Sequence, residues 1–265
     1  MPSPVIALLT DFGLADHYVG TMKGVILSIC PEATLVDLTH GIAPQDVRAG
    51  ALQLAASVGY FPAGTIVVAV VDPGVGSSRR ALAAEAGPHR FVAPDNGLLD
   101  GVFSVTPPTQ IVELTDARFA LPQVSRTFEG RDRFAPAAAW LARGTALAAL
   151  GPVTTSWTRL DLAAAVEHDD RVTGVVAWVD RFGNLVTTIR RAQVERVFAG
   201  GQASIAVAGR PVSRLVGTFA DASPAEVCAL FGSSGHLEVF VRNGSAAAVL
   251  AVGAGAETSV QRTVC

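Results

Sequence analysis

An acid and a base lie seven residues apart in the stretch VVDPGVGSSRRAL (residues 70–82), where Asp72 ends an apolar run and Arg79 follows a glycine-rich turn. A carboxylate beside a guanidinium forms a charge-assisted hydrogen bond, and a carboxylate can also accept a proton. Such a pair can place a cation and a proton acceptor side by side at a binding site. An ion pair that only fastens a turn has the same sequence pattern, however, and from these residues alone it is the favoured interpretation.

Other polar residues follow apolar runs elsewhere in the chain. In TDFGLADHYVG, Asp11 could accept hydrogen bonds from the two hydroxyls of a ribose, whereas Asp16 is also suited to cap the next helix. In VDRFGNLVTT, Asp180 could pair with an ammonium group, Phe182 could stack and Asn184 could bind a heterocycle edge. The same three residue types are typical of a hairpin turn, so both interpretations stay open.

Alternating strands and helices must position Asp11 and Asp72. Short aliphatic or β-branched runs predict strands, and helical spacing of apolar residues predicts helices, the second of which Asp46 can cap. The predicted strands are 5–10, 34–38 and 65–71, and the predicted helices are 17–30 and 46–58. This order implies parallel strands joined by right-handed crossovers. Because ligands bind outside the carboxyl ends of parallel strands, we expect Asp11 and Asp72 to line one cleft.

The periodicity changes along the rest of the chain. Further strands are predicted at 80–85, 90–93 and 110–114, helices at 96–105 and 134–142, and period-two strands at 172–179, 185–189, 203–207, 237–241 and 247–252. We therefore expect an α/β protein. Its N-terminal three-layer α/β/α domain, with a mainly parallel sheet, occupies residues 1–150. A linker covers 151–170, and a C-terminal β-barrel-like domain covers 171–265.

The composition argues against several classes of function. Of 265 residues, 50% are hydrophobic and 16% are charged, which is typical of a globular protein, and a net charge of −3 offers no basic surface for nucleic acid. We find no apolar run of membrane-spanning length and no signal-peptide core, so we expect a cytoplasmic protein without a membrane partner. Cys30, Cys228 and Cys265 lack metal-binding spacing and are predicted to be free thiols.

Six motifs, in this order and spacing, resemble those of the S-adenosylmethionine hydroxide adenosyltransferase family, whose relatives include the bacterial fluorinase and chlorinase. They are TDFG (10–13), VDPGVG (71–76) with Arg79, APDNGLL (93–99), TFEGRDRFAP (127–136), VDRFGN (179–184) and SSGHLEVFVRNGSAA (233–247). The resemblance covers almost the entire chain. It implies attack of water or hydroxide on the ribose 5′ carbon of S-adenosyl-L-methionine, which releases adenosine and L-methionine.

The resemblance also implies an assembly and a set of binding residues. The assembly is a homotrimer in which the substrate lies between the N-terminal domain of one subunit and the C-terminal domain of its neighbour. The implied contacts are Asp11 with the ribose hydroxyls; Asp16, Asp180 and Ser233 with the methionine head group; and Phe182, Asn184, Phe219 and Arg242 with or near the adenine. No metal or other cofactor is expected, because the sulfonium already carries a positive charge and its thioether leaves as a neutral group.

Glu129 stands where the hydrolytic members of this family have the histidine of a TFHGRD segment. A glutamate can also accept a proton, so the expected catalytic residues are Asp72, Arg79 and Glu129. The replacement could equally neutralise the field of Arg79 and slow the reaction, or mark a non-catalytic protein that binds S-adenosylmethionine or adenosine. An unrelated α/β domain without a nucleoside site is a further alternative.

A halogenase is the nearest alternative chemistry. The halogenating relatives carry a tyrosine where this chain has Asp72, and a carboxylate at that position repels a halide. Gly130 resembles the neighbouring halide-contact residue of the chlorinase and is counted among the substrate-binding residues, but hydrolytic members have glycine there too. Gln45 replaces a tryptophan of the fluorinase. We therefore expect hydrolysis rather than halogenation.

Overall fold

The computed structural model describes residues 3–198 and 203–262 and separates into two units, Met1–Leu160 and Asp161–Cys265. The first unit contains a six-stranded sheet of strand order β2-β1-β3-β5-β4-β6. Its strands are β1 (Val5–Thr10), β2 (Thr34–Thr39), β3 (Ile66–Val70), β4 (Ala81–Ala86), β5 (His89–Pro94) and β6 (Pro108–Glu113). The pairs β1–β2, β1–β3 and β3–β5 are parallel, whereas β4 is antiparallel to both neighbours.

Helices cover both faces of this sheet, which explains why β1 and β3 are almost continuously apolar. The helices are α1 (Tyr18–Ile29), α2 (Val47–Ser57), α3 (Asp100–Phe103) and α4 (Ala135–Ala142). Helices α1 and α4 share one hydrophobic core with Ile6 and Leu8. Helix α2 packs on the other face, where a Cβ added at Gly50 would lie 3.8 Å from Leu9. The predicted three-layer domain is confirmed.

Two helices of this unit differ from their predicted extents. The helix expected at 96–105 is reduced to the four residues of α3, because Gly97 adopts a positive φ of 95° in the preceding turn. Helix α4 is preceded by one turn of π-helix, Gly130–Phe134, which begins directly after Glu129. Asp46 caps α2 as predicted, since its side chain accepts a hydrogen bond from the Ala49 amide at 2.9 Å.

The segment 151–160 belongs to the first unit rather than to a free linker. Asp100, which is 5% exposed, accepts hydrogen bonds from Trp157 Nε1 and the Leu160 amide at 3.0 Å and from Arg159 at 3.2 Å. Composition and charge favoured a linker at 151–170. Asp100, a buried acid on α3, is the acceptor that instead fastens Trp157, Arg159 and Leu160 to the first unit.

The second unit is a nearly closed, barrel-like sheet whose paired strands, within the described residues, are all antiparallel. One isolated parallel bridge joins Leu215 to Ala229. Its strand order is β11-β10-β14-β8-β9-β13-β12, with β7 paired to β8. The strands are β7 (Val166–Glu167), β8 (Arg171–Val179), β9 (Leu185–Arg190), β10 (Ala203–Val207), β11 (Arg210–Val212), β12 (Val227–Phe231), β13 (His236–Val241) and β14 (Glu257–Arg262). The predicted β-barrel-like fold is confirmed.

Two helices, α5 (Arg191–Phe198) and α6 (Ala246–Leu250), accompany this barrel. The strand predicted at 247–252 is wrong, because these residues form α6. Ser245 caps that helix by accepting a hydrogen bond from the Ala248 amide at 3.1 Å, and the following alanines favour the helical conformation. Strands β7, β11, β12 and β14 and helix α5 were not predicted.

The structure also bears on the predictions for membrane spans and cysteines. Within residues 3–198 and 203–262, no helix is long and apolar enough to cross a membrane. Cys30 and Cys228 are free and buried, and burial raises the pKa of both thiols. Cys265 lies outside the described residues.

Candidate functional site

Asp72, Arg79 and Glu129 form one hydrogen-bonded cluster in the first unit. Asp72 follows β3, Arg79 lies just before β4, and Glu129 directly precedes the π-helical turn. Arg79 Nε donates to Asp72 Oδ1 at 2.9 Å, and Arg79 Nη2 donates both to Asp72 Oδ2 and to Glu129 Oε2, the latter at 2.6 Å. The guanidinium of Arg79 thus binds two acids, Asp72 and Glu129, that lie 57 positions apart in sequence.

The cluster is shielded from solvent, which strengthens its electrostatics. The side chains of Asp72, Arg79 and Glu129 are 6%, 9% and 14% exposed. Burial disfavours the charged guanidinium, but the hydrogen bonds and charges of the two acids outweigh it and raise the pKa of Arg79. Arg133 Nε lies 3.7 Å from Glu129 Oε1 and brings a second cation to the cluster.

The turn between Asp72 and Arg79 depends on glycine. Gly76 has a φ of +77°, and a Cβ at this position would lie 2.4 Å from the carbonyl oxygen of Arg126. Ser77 Oγ closes the turn by donating to the Gly74 carbonyl at 2.6 Å. Only glycine combines the positive φ with this close approach, and the resulting sharp turn returns Arg79 to Asp72.

A polar cavity of about 220 Å³ adjoins the cluster. Arg79, Glu129 and Arg133 line it together with Ser77 and Ser78. A cavity of this size and polarity has room for several water molecules. Proton acceptors and a cation therefore border a space that can hold water.

Asp11 lies at the carboxyl end of β1, as the sequence predicted. Its Oδ2 accepts a hydrogen bond from the backbone amide of Gln45 at 2.8 Å, and Gln45 has a φ of +68°. The positive φ is uncommon for a residue other than glycine and turns this amide toward the carboxylate. Asp11 is partly buried, and among the residues that the structure describes its other carboxylate oxygen has no hydrogen-bond partner.

A chain of hydrogen bonds beneath Asp11 was not found from the sequence. Thr10 Oγ1 contacts His40 Nδ1 at 2.8 Å, and His40 Nε2 contacts Asp37 Oδ1 at 2.9 Å. Lys23 donates to the other oxygen of Asp37 at 2.7 Å. Partial burial opposes ionisation of Asp37, but the hydrogen bonds from Lys23 and His40 lower its pKa. The chain anchors the loop that carries Asp11, and no local motif around His40 signalled it.

Asp16 and Gly130 are placed differently from Asp11. Asp16 is exposed, and α1 begins with His17 as its N-cap, so the alternative that Asp16 caps the helix is not observed. Gly130 is buried, and a Cβ there would lie 3.2 Å from Met22 Sδ and 3.3 Å from the Phe128 ring. Close packing therefore accounts for glycine at 130.

The second unit contains an open cavity of about 890 Å³. Every residue of this unit that the sequence analysis assigned to substrate lines it. These residues are Asp180, Phe182, Asn184, Phe219, Ser233 and Arg242. The cavity has the size of a small-molecule site, and residues from four separate segments converge on it.

The local geometry of this cavity combines a turn with exposed aromatic rings. Asp180 Oδ1 accepts hydrogen bonds from the amides of Phe182 and Asn184 at 2.8 Å, and its Oδ2 accepts one from Asn184 Nδ2 at 2.9 Å. The turn-forming interpretation of this motif is therefore correct, and the same turn holds Phe182 out with 77% of its surface exposed. Phe219, 47% exposed, packs its edge against Phe240.

Glu238, on β13, also lines the cavity and was missed by the sequence analysis. Burial raises the pKa of its carboxyl, and the nearby charge of Asp180 raises it further. Alternation along the strand placed residue 238 on a defined face, but only the closed barrel shows that this face borders a cavity.

Comparison with known proteins follows the same division into two units. Residues 6–151 match the model of the SAM hydroxide adenosyltransferase N-terminal domain, and residues 174–259 match that of the C-terminal domain. The chain belongs to the SAM hydroxide adenosyltransferase family. This confirms the resemblance drawn from the six motifs, and it places Asp72, Arg79 and Glu129 in the N-terminal family domain and the larger cavity in the C-terminal one.

Several individual proteins resemble the chain over most of its length. An (R)-S-adenosyl-L-methionine hydrolase from Salinispora tropica is 41% identical over 95% of each chain. A fluorinase from Nocardia brasiliensis is 29% identical over 74% of this chain and 75% of its own. The crystal structure of an uncharacterized conserved protein from Thermotoga maritima superimposes with a TM-score of 0.91 at 36% identity and covers 97% of this chain and 100% of that one.

Proposed function

We propose that this protein hydrolyses S-adenosyl-L-methionine to adenosine and L-methionine. The observation that carries the proposal is the shielded guanidinium of Arg79, held by Asp72 and Glu129 beside a cavity with room for water. Membership of the family and the 41% identity to (R)-S-adenosyl-L-methionine hydrolases support it. The fluorinases are more distant, at 29% identity or less.

In the proposed reaction a water oxygen forms a bond to the ribose 5′ carbon while the bond from that carbon to the sulfonium sulfur breaks. The electron pair of the broken bond goes to sulfur, so methionine leaves as a neutral thioether without help from a general acid. The water loses a proton to a carboxylate and then to solvent. A dry, fixed environment favours this step, because charge disappears as hydroxide meets the sulfonium.

The geometry divides the work between the two acids. Both oxygens of Asp72 accept hydrogen bonds from Arg79, which suits Asp72 to fix the guanidinium. Glu129 uses Oε2 for Arg79, while within residues 3–198 and 203–262 the charged neighbour of its Oε1 is Arg133 Nε at 3.7 Å. Glu129 therefore has the freer oxygen and is the base in our proposal, and Arg79 stabilises the developing hydroxide.

The remaining contacts are proposals of the same kind. Asp11 holds the ribose hydroxyls, Asp16, Asp180 and Ser233 hold the methionine head group, and Phe182, Asn184, Phe219 and Arg242 surround the adenine. Gly130 is the substrate-binding residue next to Glu129, at the position that resembles the halide contact of the chlorinase. The reaction uses no cofactor, and the enzyme works in the cytoplasm as a homotrimer whose sites each combine two subunits.

The test is incubation of the purified protein with S-adenosylmethionine in ¹⁸O-water, followed by chromatography and mass spectrometry. We expect adenosine labelled at its 5′ oxygen together with unlabelled methionine, and a loss of turnover of at least about 100-fold in Arg79→Ala. Chloride or fluoride should give no 5′-halogenated nucleoside. Bound but unreacted S-adenosylmethionine would identify a binding protein instead, and full activity of Arg79→Ala would refute the assignment of the nucleophile site.

A further inference from the structure

A buried histidine that the proposed mechanism does not use lies beneath the loop of Asp11. His40 is 5% exposed, and its two ring nitrogens contact Thr10 Oγ1 at 2.8 Å and Asp37 Oδ1 at 2.9 Å. A hydroxyl, an imidazole and a carboxylate in a row can activate a nucleophile. Thr10 is fully buried, however, so its hydroxyl does not reach a substrate. The row therefore acts through the residues that it holds in place.

The charged end of this row sets the direction of its hydrogen bonds. Partial burial raises the pKa of Asp37, but hydrogen bonds from Lys23 and His40 outweigh burial and lower it, so the carboxylate is ionised and only accepts. His40 Nε2 then carries the proton, and in the neutral imidazole Nδ1 accepts from the Thr10 hydroxyl. Thr10 Oγ1 keeps its lone pairs for the Phe12 amide, which donates to it at 3.2 Å.

His40 holds the backbone on both sides of Asp11. Its ring binds Thr10, and its carbonyl accepts a hydrogen bond from the Gly13 amide at 2.8 Å. Five residues beyond His40, the amide of Gln45 donates to Asp11 Oδ2 at 2.8 Å. The segment that begins at His40 therefore fixes both the backbone and the carboxylate of Asp11.

A carboxylate that is fixed before a ligand arrives binds that ligand at a lower entropic cost. In the proposed function Asp11 accepts hydrogen bonds from the two ribose hydroxyls. A nucleoside without these hydroxyls gains nothing from the orientation of Asp11. The precision with which Asp11 is held therefore affects the difference in affinity between the two kinds of nucleoside.

We propose that Thr10 and His40 are positioning residues that direct the Asp11 carboxylate at the ribose hydroxyls and thereby make the site selective for nucleosides that carry both. Asp37 contributes by fixing the tautomer of His40. The proposal rests on the contact between Asp11 and ribose that is part of the proposed function. It adds to that function the residues that determine its selectivity for the sugar.

The test compares adenosine with 2′,3′-dideoxyadenosine, which lacks both hydroxyls, in the variant Thr10→Val. Calorimetry should show a dissociation constant for adenosine that rises by about 10-fold, because hydrogen bonds to a charged group are weakened, and an unchanged one for dideoxyadenosine. The ribose hydroxyls keep their charge during the reaction. KM for S-adenosylmethionine should therefore rise by about the same factor while kcat stays within about twofold.

Three variants separate positioning from a general loss of stability. Thr10→Ser keeps the hydroxyl and should restore the selectivity. Thr65→Val removes another buried hydroxyl, which donates to the Pro62 carbonyl at 2.8 Å before the amino end of β3, and should leave both dissociation constants unchanged. Asp37→Ala changes an exposed residue and leaves the buried ones intact, so it tests the row even if Thr10→Val does not fold. It should show a smaller selective loss.

A double variant shows whether the effect passes through Asp11. Asp11→Ala alone should weaken adenosine binding, and adding Thr10→Val to it should cause no further loss. The inference is overturned by an equal loss for both nucleosides, by unchanged selectivity in Thr10→Val and Asp37→Ala, or by a full additional loss in the double variant. If the unmodified protein binds adenosine selectively but does not release it from S-adenosylmethionine, the inference stands and the proposed function fails.

Discussion

Glu129 is the residue at which this chain departs from the histidine of the hydrolytic pattern. The structure gives it two cationic neighbours, Arg79 at 2.6 Å and Arg133 at 3.7 Å. Together with Asp72, the cluster contains two carboxylates and two guanidinium groups, so the positive charge of Arg133 balances the negative charge that Glu129 adds. A carboxylate at this position is therefore compatible with an attacking hydroxide.

Glu129→Gln tests whether this carboxylate is the base. Glutamine keeps the size of the side chain and can still accept a hydrogen bond from Arg79, but it cannot take up a proton. We expect kcat to fall by about 100-fold or more, because general base catalysis contributes about 10²–10⁴. Adenosine binding, measured by calorimetry, should be unchanged.

Glu129→His is the companion variant, since an imidazole can also accept a proton. It should retain more activity than Glu129→Gln. A glutamine variant with full kcat would show that the water is activated without residue 129.

At the scale of elements, two features deliver the candidate residues to their places. The glycine turn after β3 returns Arg79 to Asp72, and the hydrogen-bond chain through His40 holds the loop after β1. Both lie at the carboxyl ends of parallel strands, where loops converge. The strands place the acids, and the loops set the distances between them.

Gly76→Ala tests the turn. Its Cβ would meet the Arg126 carbonyl oxygen at 2.4 Å, and alanine is strained at a φ of +77°. We expect the free energy of unfolding to fall by about 1–3 kcal/mol and kcat to fall with it, as Arg79 shifts from Asp72. Chemical denaturation and steady-state kinetics measure the two effects.

Gly20→Ala is the matched control within α1. A Cβ there meets no atom within 4 Å, so the variant should gain about 0.5–1 kcal/mol of stability and keep its activity. If Gly76→Ala were as stable and active as Gly20→Ala, the turn would not require glycine.

At the scale of the whole molecule, the residues assigned to one substrate are divided between two units. The first unit, Met1–Leu160, contains Asp11, Asp72, Arg79 and Glu129. The second unit, Asp161–Cys265, contains the larger cavity. In the proposed homotrimer each site takes its nucleophile cluster from one subunit and its adenine pocket from a neighbour. An inactive first unit in one chain can then be complemented by another chain.

Complementation between two inactive variants tests this arrangement. Arg79→Ala disables the first unit, and the double variant Phe182→Ala/Phe219→Ala removes the stacking surfaces of the second. If the two chains are co-expressed in equal amounts and assemble at random, about one quarter of the sites combine two intact units. We expect about one quarter of the normal activity, and a particle of about three times the chain mass of 27.3 kDa by light scattering.

Sites built within one subunit would give no recovery of activity on co-expression. Each variant expressed alone is the control and should be inactive. A monomer in light scattering would also contradict the shared site.

Local sequence patterns were enough to predict most of the strands and helices and to select the candidate residues. The strand predicted at 5–10 agrees with β1 and that at 203–207 with β10, because runs of β-branched and aliphatic residues report burial locally. The strand predicted at 247–252 is wrong, because a serine cap favours helix α6 there. The helix predicted at 96–105 is too long, because a glycine turn precedes α3. Motif order along the chain was enough to predict the family.

Which of these residues contact one another depends on how the elements pack together. Three examples are the contact of Glu129 with Arg79, that of Glu129 with Arg133, and that of Glu238 with Gly232. In each, the loops and strands of the folded unit bring together residues that are apart in sequence. Sequence periodicity describes the side on which a residue lies, at a period of 2 or 3.6 residues. Distances between side chains on different elements depend on packing of the whole unit, which no local pattern contains.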